Sequence, residues 1–231
     1  PFFEWLLYHF YALIGFSGYC QTPQTTEQVQ RLCHGVKLFR VEGPSYWVFT
    51  ALALALSHIG SLMEPSEDVL VLYTTSHGMD LGLAYHYGDS GYGVLSPVKL
   101  KAALEEAGIT RRVLILSACY SGVFVPALAS PDTAILTAAA STRSSFGCVA
   151  ENDWTFFGDA LINRALRQPV ALEEAARMAT RSVAEWEAKA RFLASLPQVS
   201  IGAGAKAWLP SIEATMPPIA SAPVGRPAFA E

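Results

Sequence analysis

Residues 68–78 read DVLVLYTTSHG, and residues 112–122 read RVLILSACYSG. Each is an apolar run that ends in a small, polar and reactive neighbourhood: Ser76-His77-Gly78 after the first, Ser117-Ala118-Cys119 after the second. A short continuous apolar run suits a strand buried on both faces, as in a parallel sheet. Between the two, Ser96-Pro97 opens a helix, because serine at the N-cap followed by proline at the first helical position is a strong start signal. Leu100, Leu104 and Ala107 form the buried stripe of that helix, and Gly108 ends it. Strand, helix, strand in this order predicts parallel pairing with a right-handed crossover.

Working outward, Thr133 to Ala139 is a third apolar run and a third strand. Upstream, Ala51, Leu52, Ala55, Leu56 and Ile59 recur at helical spacing and predict a helix over Ser45 to Met63, with Gly60 near its end. Gly78 to Leu95 carries five glycines (Gly78, Gly82, Gly88, Gly91, Gly93) and reads as a loop with a short hairpin around Tyr87 to Tyr92. Downstream, helices are expected over Thr155 to Arg167 and over Leu172 to Leu196, the second stopped by Pro197. Gln198 to Ala203 reads as a last short strand. From Pro210 onward Pro, Ala and Ser dominate, so residues 210–231 are expected to be a disordered tail. Residues 1–44 are the least readable. Glu27 to Phe39 fits an amphipathic helix with Thr25 or Thr26 as N-cap, broken by Gly43-Pro44. The organisation is therefore a poorly readable segment 1–44, a domain over 45–209 and a tail over 210–231. No internal repeat is seen.

The bulk properties limit the function. The chain has 231 residues, which fits one domain, and 52% of them are hydrophobic. A net charge of -4 argues against nucleic acid or an anionic membrane surface as the main partner. Cys20, Cys33, Cys119 and Cys148 include no Cys-x-x-Cys pair and no histidine cluster, which argues against a zinc site. A Cys20–Cys33 disulfide is allowed but not required. The chain begins at Pro1 rather than Met, so targeting information is expected to lie upstream. Phe2 to Cys20 is apolar and aromatic but interrupted by Glu4 and His9. A core strand or helix is the favoured reading, with the remnant of a membrane segment as the alternative. Export or membrane association is slightly favoured over the cytoplasm, and the oligomeric state is left open.

The chemistry sits at the strand ends. In an open α/β sheet, ligands bind beyond the carboxyl ends of the strands. His77 and Cys119 occupy two such ends, about 5 Å apart if the strands are neighbours. A thiol nucleophile needs a nearby imidazole to favour the thiolate or to protonate the leaving group. Gly78 lets the backbone approach a substrate, and its N–H, with that of Cys119, can hold an oxyanion. Gly122 permits a tight turn after the nucleophile. Either residue alone would be read as an ordinary buried thiol or histidine; their matched placement is what points to catalysis. Cys148 follows Phe146-Gly147, away from a strand end, and reads as structural, as do Cys20 and Cys33. His34 and His58 lack a partner motif, and His86 lies in the glycine loop, where it could line a cleft.

A strand ending in SHG followed by a strand ending in SACYSG resembles the clan of caspase-like cysteine peptidases. The continuation ILTAAASTRSSFGC (135–148) is similar to the legumain, or C13, family. The stretches SEDVLVLYTTSHG (66–78) and Val113 to Trp154 look most like the bacterial branch of that family. The similarity covers about Ala51 to Leu209. It implies a caspase-like three-layer α/β fold, with a mostly parallel central sheet flanked by helices. It also implies a cysteine endopeptidase with Cys119 as nucleophile, His77 as acid/base, and Gly78 and Cys119 as oxyanion donors, without metal or organic cofactor. The substrate pocket would draw on Ser117, Ser144 or Ser145, and Asp153 before Trp154. Two departures matter. Legumain-type enzymes carry Glu two residues before the nucleophile, where this chain has Ser117, so asparagine specificity is not carried over. The family also opens with a strand whose Asn or similar residue orients the histidine. Residues 1–44 offer no clear match: that strand is either absent or is the run Trp5 to Ile14. The expected partner is a peptide or protein substrate, with the thioester open to water or to an amine. The rival reading is a caspase-like scaffold kept as a non-catalytic interaction domain.

Overall fold

The computed structural model describes residues 12–15, 39–40, 45–86, 92–149, 151–214 and 222–229. Its centre is a six-stranded sheet. The strands are β1 (Ala12–Gly15), β2 (Phe39–Arg40), β3 (Leu70–Thr75), β7 (Arg112–Ser117), β8 (Thr133–Thr137) and β9 (Gln198–Ile201). They lie in the order β2-β1-β3-β7-β8-β9. Every pairing is parallel except that of β9, which runs antiparallel to β8. The strands at the centre are the two apolar runs of the sequence, β3 and β7, as expected for strands buried on both faces.

Alternation along the strands feeds two cores. Val69, Val71, Val113, Ile115, Ala134 and Leu136 point to one face, where they meet the helices after residue 155. Leu70, Leu72, Leu114, Leu116 and Ile135 point to the other, against α1 (Ser45–Leu62) and α2 (Pro97–Glu106). The result is the three-layer arrangement expected from the sequence. Helix α2 starts as predicted: the Ser96 hydroxyl accepts the Lys99 N–H at 3.3 Å, and Pro97 is the first helical residue. Gly108 follows its last turn with φ +69, a conformation glycine adopts without strain. The glycine-rich stretch is more ordered than a loop. It forms an antiparallel sheet of β4 (Gly78–Met79), β5 (Gly82–His86) and β6 (Tyr92–Leu95). After β7 a 3-10 turn, Ser121–Phe124, leads into α3 (Val125–Leu128). The segment after Thr155 begins with α4 (Phe156–Gly158) and continues through a π-helical stretch, Asp159–Arg164, to a 3-10 turn, Ala165–Arg167.

Two expectations are corrected. The long helix α5 runs Leu172–Ala190, not to Leu196. Arg191 takes a left-handed conformation (φ 58) and the chain turns back, with the Phe192 N–H on the Glu187 carbonyl at 2.8 Å. Ser195 is thereby buried: its N–H donates to Glu187 Oε2 and its carbonyl accepts from Ala140. Tertiary hydrogen bonds override a helix-favouring sequence there. The tail is the second correction. Helix α6 (Ala203–Glu213) passes through Pro210, and Glu213 caps α5 by accepting the Leu172 N–H at 2.8 Å. Residues 222–229 then pack on the domain. Ala228 is 6% exposed, and the Phe229 ring stacks on Trp186 at 6.1 Å between centroids. Of the two alternatives for the first strand, absence or the run Trp5 to Ile14, the described residues show a strand at the end of that run: Ala12–Gly15 pairs in parallel with β3. The helix expected over Glu27 to Phe39, the Cys20–Cys33 bridge and the apolar run to Cys20 otherwise lie outside the described residues.

Candidate active site

Register builds the site. β3 and β7 pair from Leu70↔Arg112 to Thr75↔Ser117. The ladder continues one step further, with the Ser76 N–H on the Ser117 carbonyl at 3.3 Å. His77 and Cys119 each lie two residues past the Thr75–Ser117 pair, so the two strands deliver them to the same end of the sheet. His77 is exposed there, and Cys119 is half-buried. Cys119 is the free thiol among the described residues, whereas Cys148 is disulfide-bonded.

The turn after Cys119 is tightly held. Tyr120 adopts a left-handed conformation (φ 56), uncommon for a residue with a Cβ, and its N–H donates to the Arg143 carbonyl at 2.8 Å. Gly122 donates to the Ala139 carbonyl at 2.9 Å, and a Cβ there would come within 2.5 Å of the Ser141 nitrogen. The glycine is therefore demanded by close approach to the segment after β8. That segment returns to the thiol. The Ser145 N–H donates to Cys119 Sγ at 3.2 Å, the thiol faces the Ser145 carbonyl at 3.4 Å, and the Ser145 hydroxyl lies 3.7 Å from the sulfur. Among the described residues, the polar contacts of the sulfur are all with Ser145, and the His77 ring is not among them.

Gly78 lies against the Cys119 backbone. A Cβ on it would sit 1.7 Å from the Cys119 carbonyl oxygen. The Ala84 N–H reaches the His77 carbonyl at 2.8 Å, which makes Gly78↔Leu83 the non-hydrogen-bonded pair of that ladder. The Gly78 N–H therefore points away from β5. The Ser76 hydroxyl donates to the Ala84 carbonyl and ties the start of this loop to β5.

The residues that the resemblance assigns to substrate divide into two sets. Ser144 is exposed and Ser145 is half-buried, both on the loop that touches Cys119. Ser117 is different: it is 1% exposed, and its hydroxyl bonds Thr155 Oγ1 at 2.9 Å. Tyr73 joins the same group. Burial pushes its phenol up, and hydrogen bonds with Thr75 and Ser117 oppose that shift. Thr155 also caps α4 by accepting the Gly158 N–H at 3.0 Å. A hydroxyl chain through Tyr73, Ser117 and Thr155 therefore lies beneath the site. Asp153 is engaged as well. Its Oδ1 accepts from Arg226 Nη2 at 2.9 Å and its Oδ2 from the Arg226 N–H at 2.6 Å. Those bonds hold its carboxyl below the usual carboxylate range. The sequence singles out His77, Gly78, Cys119 and the Ser144-Ser145 loop. It does not single out Tyr73, Thr155 and Arg226, whose contacts with Ser117 and Asp153 come from across the fold.

Among the described residues, no three His, Cys, Asp or Glu side chains cluster as metal ligands, and no helix is long and apolar enough to cross a membrane.

A mostly parallel sheet flanked by helices is a fold that solved structures share. The chain is similar to caspase-1 from Spodoptera frugiperda (TM-score 0.52, 14% identity, covering 84% of this chain and 86% of that one). It is also similar to pro-sf-caspase-1 (TM-score 0.53, 11% identity, 84% and 91% covered) and to drICE (TM-score 0.50, 13% identity, 84% and 87% covered). The sequence profile of the Peptidase C13 family matches residues 52–205, and the chain belongs to that family. No curated protein sequence matches it.

Proposed function

We propose that this protein is a cysteine endopeptidase in which Cys119 is the nucleophile and His77 the acid/base. The observation that carries the reading is the β3–β7 register, which delivers a free thiol and an exposed imidazole to one end of the sheet at matched offsets. Cys119 passes its thiol proton to His77 as Sγ attacks the carbonyl carbon of a bound peptide, and the carbonyl π electrons move to oxygen. The Gly78 and Cys119 N–H groups stabilise that oxyanion. Collapse breaks the C–N bond, His77 donates a proton to the departing amine, and a thioester remains. Water then attacks the thioester and gives a proton to His77, the C–S bond breaks, the acid is released, and His77 returns the proton to the sulfur, which restores the thiol. An amine in place of water gives transpeptidation by the same steps.

Among the described residues, the hydrogen bonds of the resting sulfur are with Ser145. No metal or organic cofactor is required by these steps. Substrate contacts are assigned to Ser144 and Ser145. Ser117 and Asp153, the other pocket residues implied by the family resemblance, are already bonded within the chain.

The test is labelling by a thiol-directed peptidyl probe, followed by cleavage of a peptide library. Cys119→Ala is expected to abolish both, and Cys148→Ala to leave labelling at position 119 intact. Equal labelling of the two variants would sink the assignment. Labelling of Cys119 without cleavage of any peptide would favour the non-catalytic interaction domain.

A further inference from the structure

Residues 222–229 lie in a seat built from buried polar side chains. Asn163, 1% exposed, accepts the Val224 N–H at 2.8 Å and donates to the Val224 carbonyl at 3.1 Å. Trp154 Nε1 donates to the same carbonyl at 2.9 Å. Asp159, fully buried, accepts the Ala228 N–H at 3.1 Å. Asp153 binds the Arg226 backbone and guanidinium, and Gly225 (φ +74) lies so close that a Cβ would be 2.8 Å from Asp153 Oδ2. Main-chain groups are read at three successive alternate residues, and Phe229 closes the end against Trp186. Without this segment, Asn163 and Asp159 would lose partners that their burial demands.

The seat is joined to the thiol. The Asn152 amide donates at once to the Ala228 carbonyl at 3.0 Å and to the Gly147 carbonyl at 3.1 Å. Gly147 is two residues from Ser145, whose N–H and carbonyl hold Cys119 Sγ. The Phe146 carbonyl accepts the Phe156 N–H at 2.9 Å, and the Phe156 ring meets Phe229 edge-on at 5.9 Å. Among the described residues, the segment makes no hydrogen bond to Cys119, His77, Gly78 or Ser145; its bonds go to the loop that carries Ser145 and to the helices behind it.

We propose that residues 222–229 are an intramolecular strap that positions the 145–155 loop and, through Asn152, the Ser145 backbone that holds the Cys119 sulfur. Asp153 is then an anchor for the strap rather than a substrate ligand. The proposal rests on Cys119 as the reactive thiol. Its test compares the full chain with a chain ending at Ser221, with and without an added synthetic peptide of residues 222–231. Two quantities are read: the rate of Cys119 alkylation by iodoacetamide at one fixed pH, and peptide turnover. Truncation is expected to lower the alkylation rate several-fold. It should also lower turnover by roughly 10- to 100-fold, the size expected when a reacting group is misplaced by up to an ångström. The added peptide should reverse both changes saturably, and a peptide carrying Arg226→Ala should do so more weakly. A folded truncated chain with unchanged alkylation rate and turnover overturns the proposal. So does turnover that rises on truncation and is inhibited by the peptide. Should the truncated chain not fold, Asn152→Ala in the full chain carries the test: a lowered alkylation rate is expected, and a wild-type rate overturns the strap. Alkylation needs no substrate, so a lowered rate in a protein that cleaves nothing would keep the strap and remove the peptidase reading.

Discussion

The main-chain N–H of Ser145 donates to Cys119 Sγ across 3.2 Å, from a loop 26 residues away in the chain. A donor aimed at sulfur fixes where the thiol sits and how it is oriented. Ser145→Pro removes that donor and leaves the rest of the loop sequence intact. The rate of Cys119 labelling by a thiol-directed peptidyl probe should fall by about 10-fold or more, as expected when a reacting group loses its positioning. Ser145→Ala removes only a hydroxyl 3.7 Å away and should change that rate by about two-fold or less. Equal losses in the two variants would show that the hydroxyl, not the backbone, holds the thiol.

Gly78 offers a second prediction, on sterics. Its missing Cβ would lie 1.7 Å from the Cys119 carbonyl oxygen, a backbone atom that cannot swing aside. Gly78→Ala should therefore push β4 away from Cys119. The expected cost is about 1–3 kcal/mol or more in urea unfolding, with loss of probe labelling at Cys119. Gly108→Ala is the informative control. Its φ of +69 makes the variant strained by roughly 1 kcal/mol, but nothing lies within 4 Å of the added methyl. It should lose stability and keep labelling. Loss of labelling in both would mean that global stability, not the Gly78 contact, governs the site.

The central strands, the α2 crossover and the two strand-end residues were legible because each rests on local chemistry: continuous apolar runs, a Ser-Pro start and a glycine stop. The support beneath them was not. Tyr120 takes a left-handed conformation where the usual signal would be glycine, because its N–H is fixed by Arg143 from across the fold. Arg191 ends α5 in the same conformation, and the reason lies in Ser195 bonding Glu187 and Ala140. The strap has a disordered composition, and what orders it is Asn163 and Asp159, about sixty to seventy residues upstream. A one-dimensional pattern has no means of expressing contacts of that range.

Ser117 separates a structural role from a substrate-facing one. Its hydroxyl is buried and bonded to Thr155 Oγ1 at 2.9 Å. Ser117→Ala should destabilise the protein by about 1–3 kcal/mol, the cost of leaving buried partners unpaired. The KM for a peptide substrate should change little. A double cycle with Thr155→Val should show coupling of at least about 0.5 kcal/mol, as expected of contacting residues. Ser117→Glu, which restores the residue common in legumain-type enzymes, puts a carboxylate into this buried chain and should be more harmful than alanine. A stable Ser117→Glu enzyme with altered side-chain preference would return Ser117 to the substrate pocket.

Tyr73 makes the same hydroxyl chain visible to alkali. Its phenol is pushed up by burial, so the neutral form is the one the fold favours. The sign follows from linkage. A group whose folded value is raised contributes stability that is fully present below its unfolded value, here about 10, and lost as pH rises toward the folded one. Unfolding free energy should therefore fall with a steeper slope above about pH 10 in the wild type than in Tyr73→Phe. Because other tyrosines and lysines titrate in the same range, the difference between the two slopes is the quantity to measure. Tyr73→Phe should begin from a lower stability at pH 7, since Thr75 and Ser117 lose a partner, and the two curves should converge as the pH rises. Parallel curves across that window would mean that the Tyr73 hydroxyl ionises in the folded protein as readily as in the unfolded chain, and the buried hydroxyl chain would have to be redrawn without it.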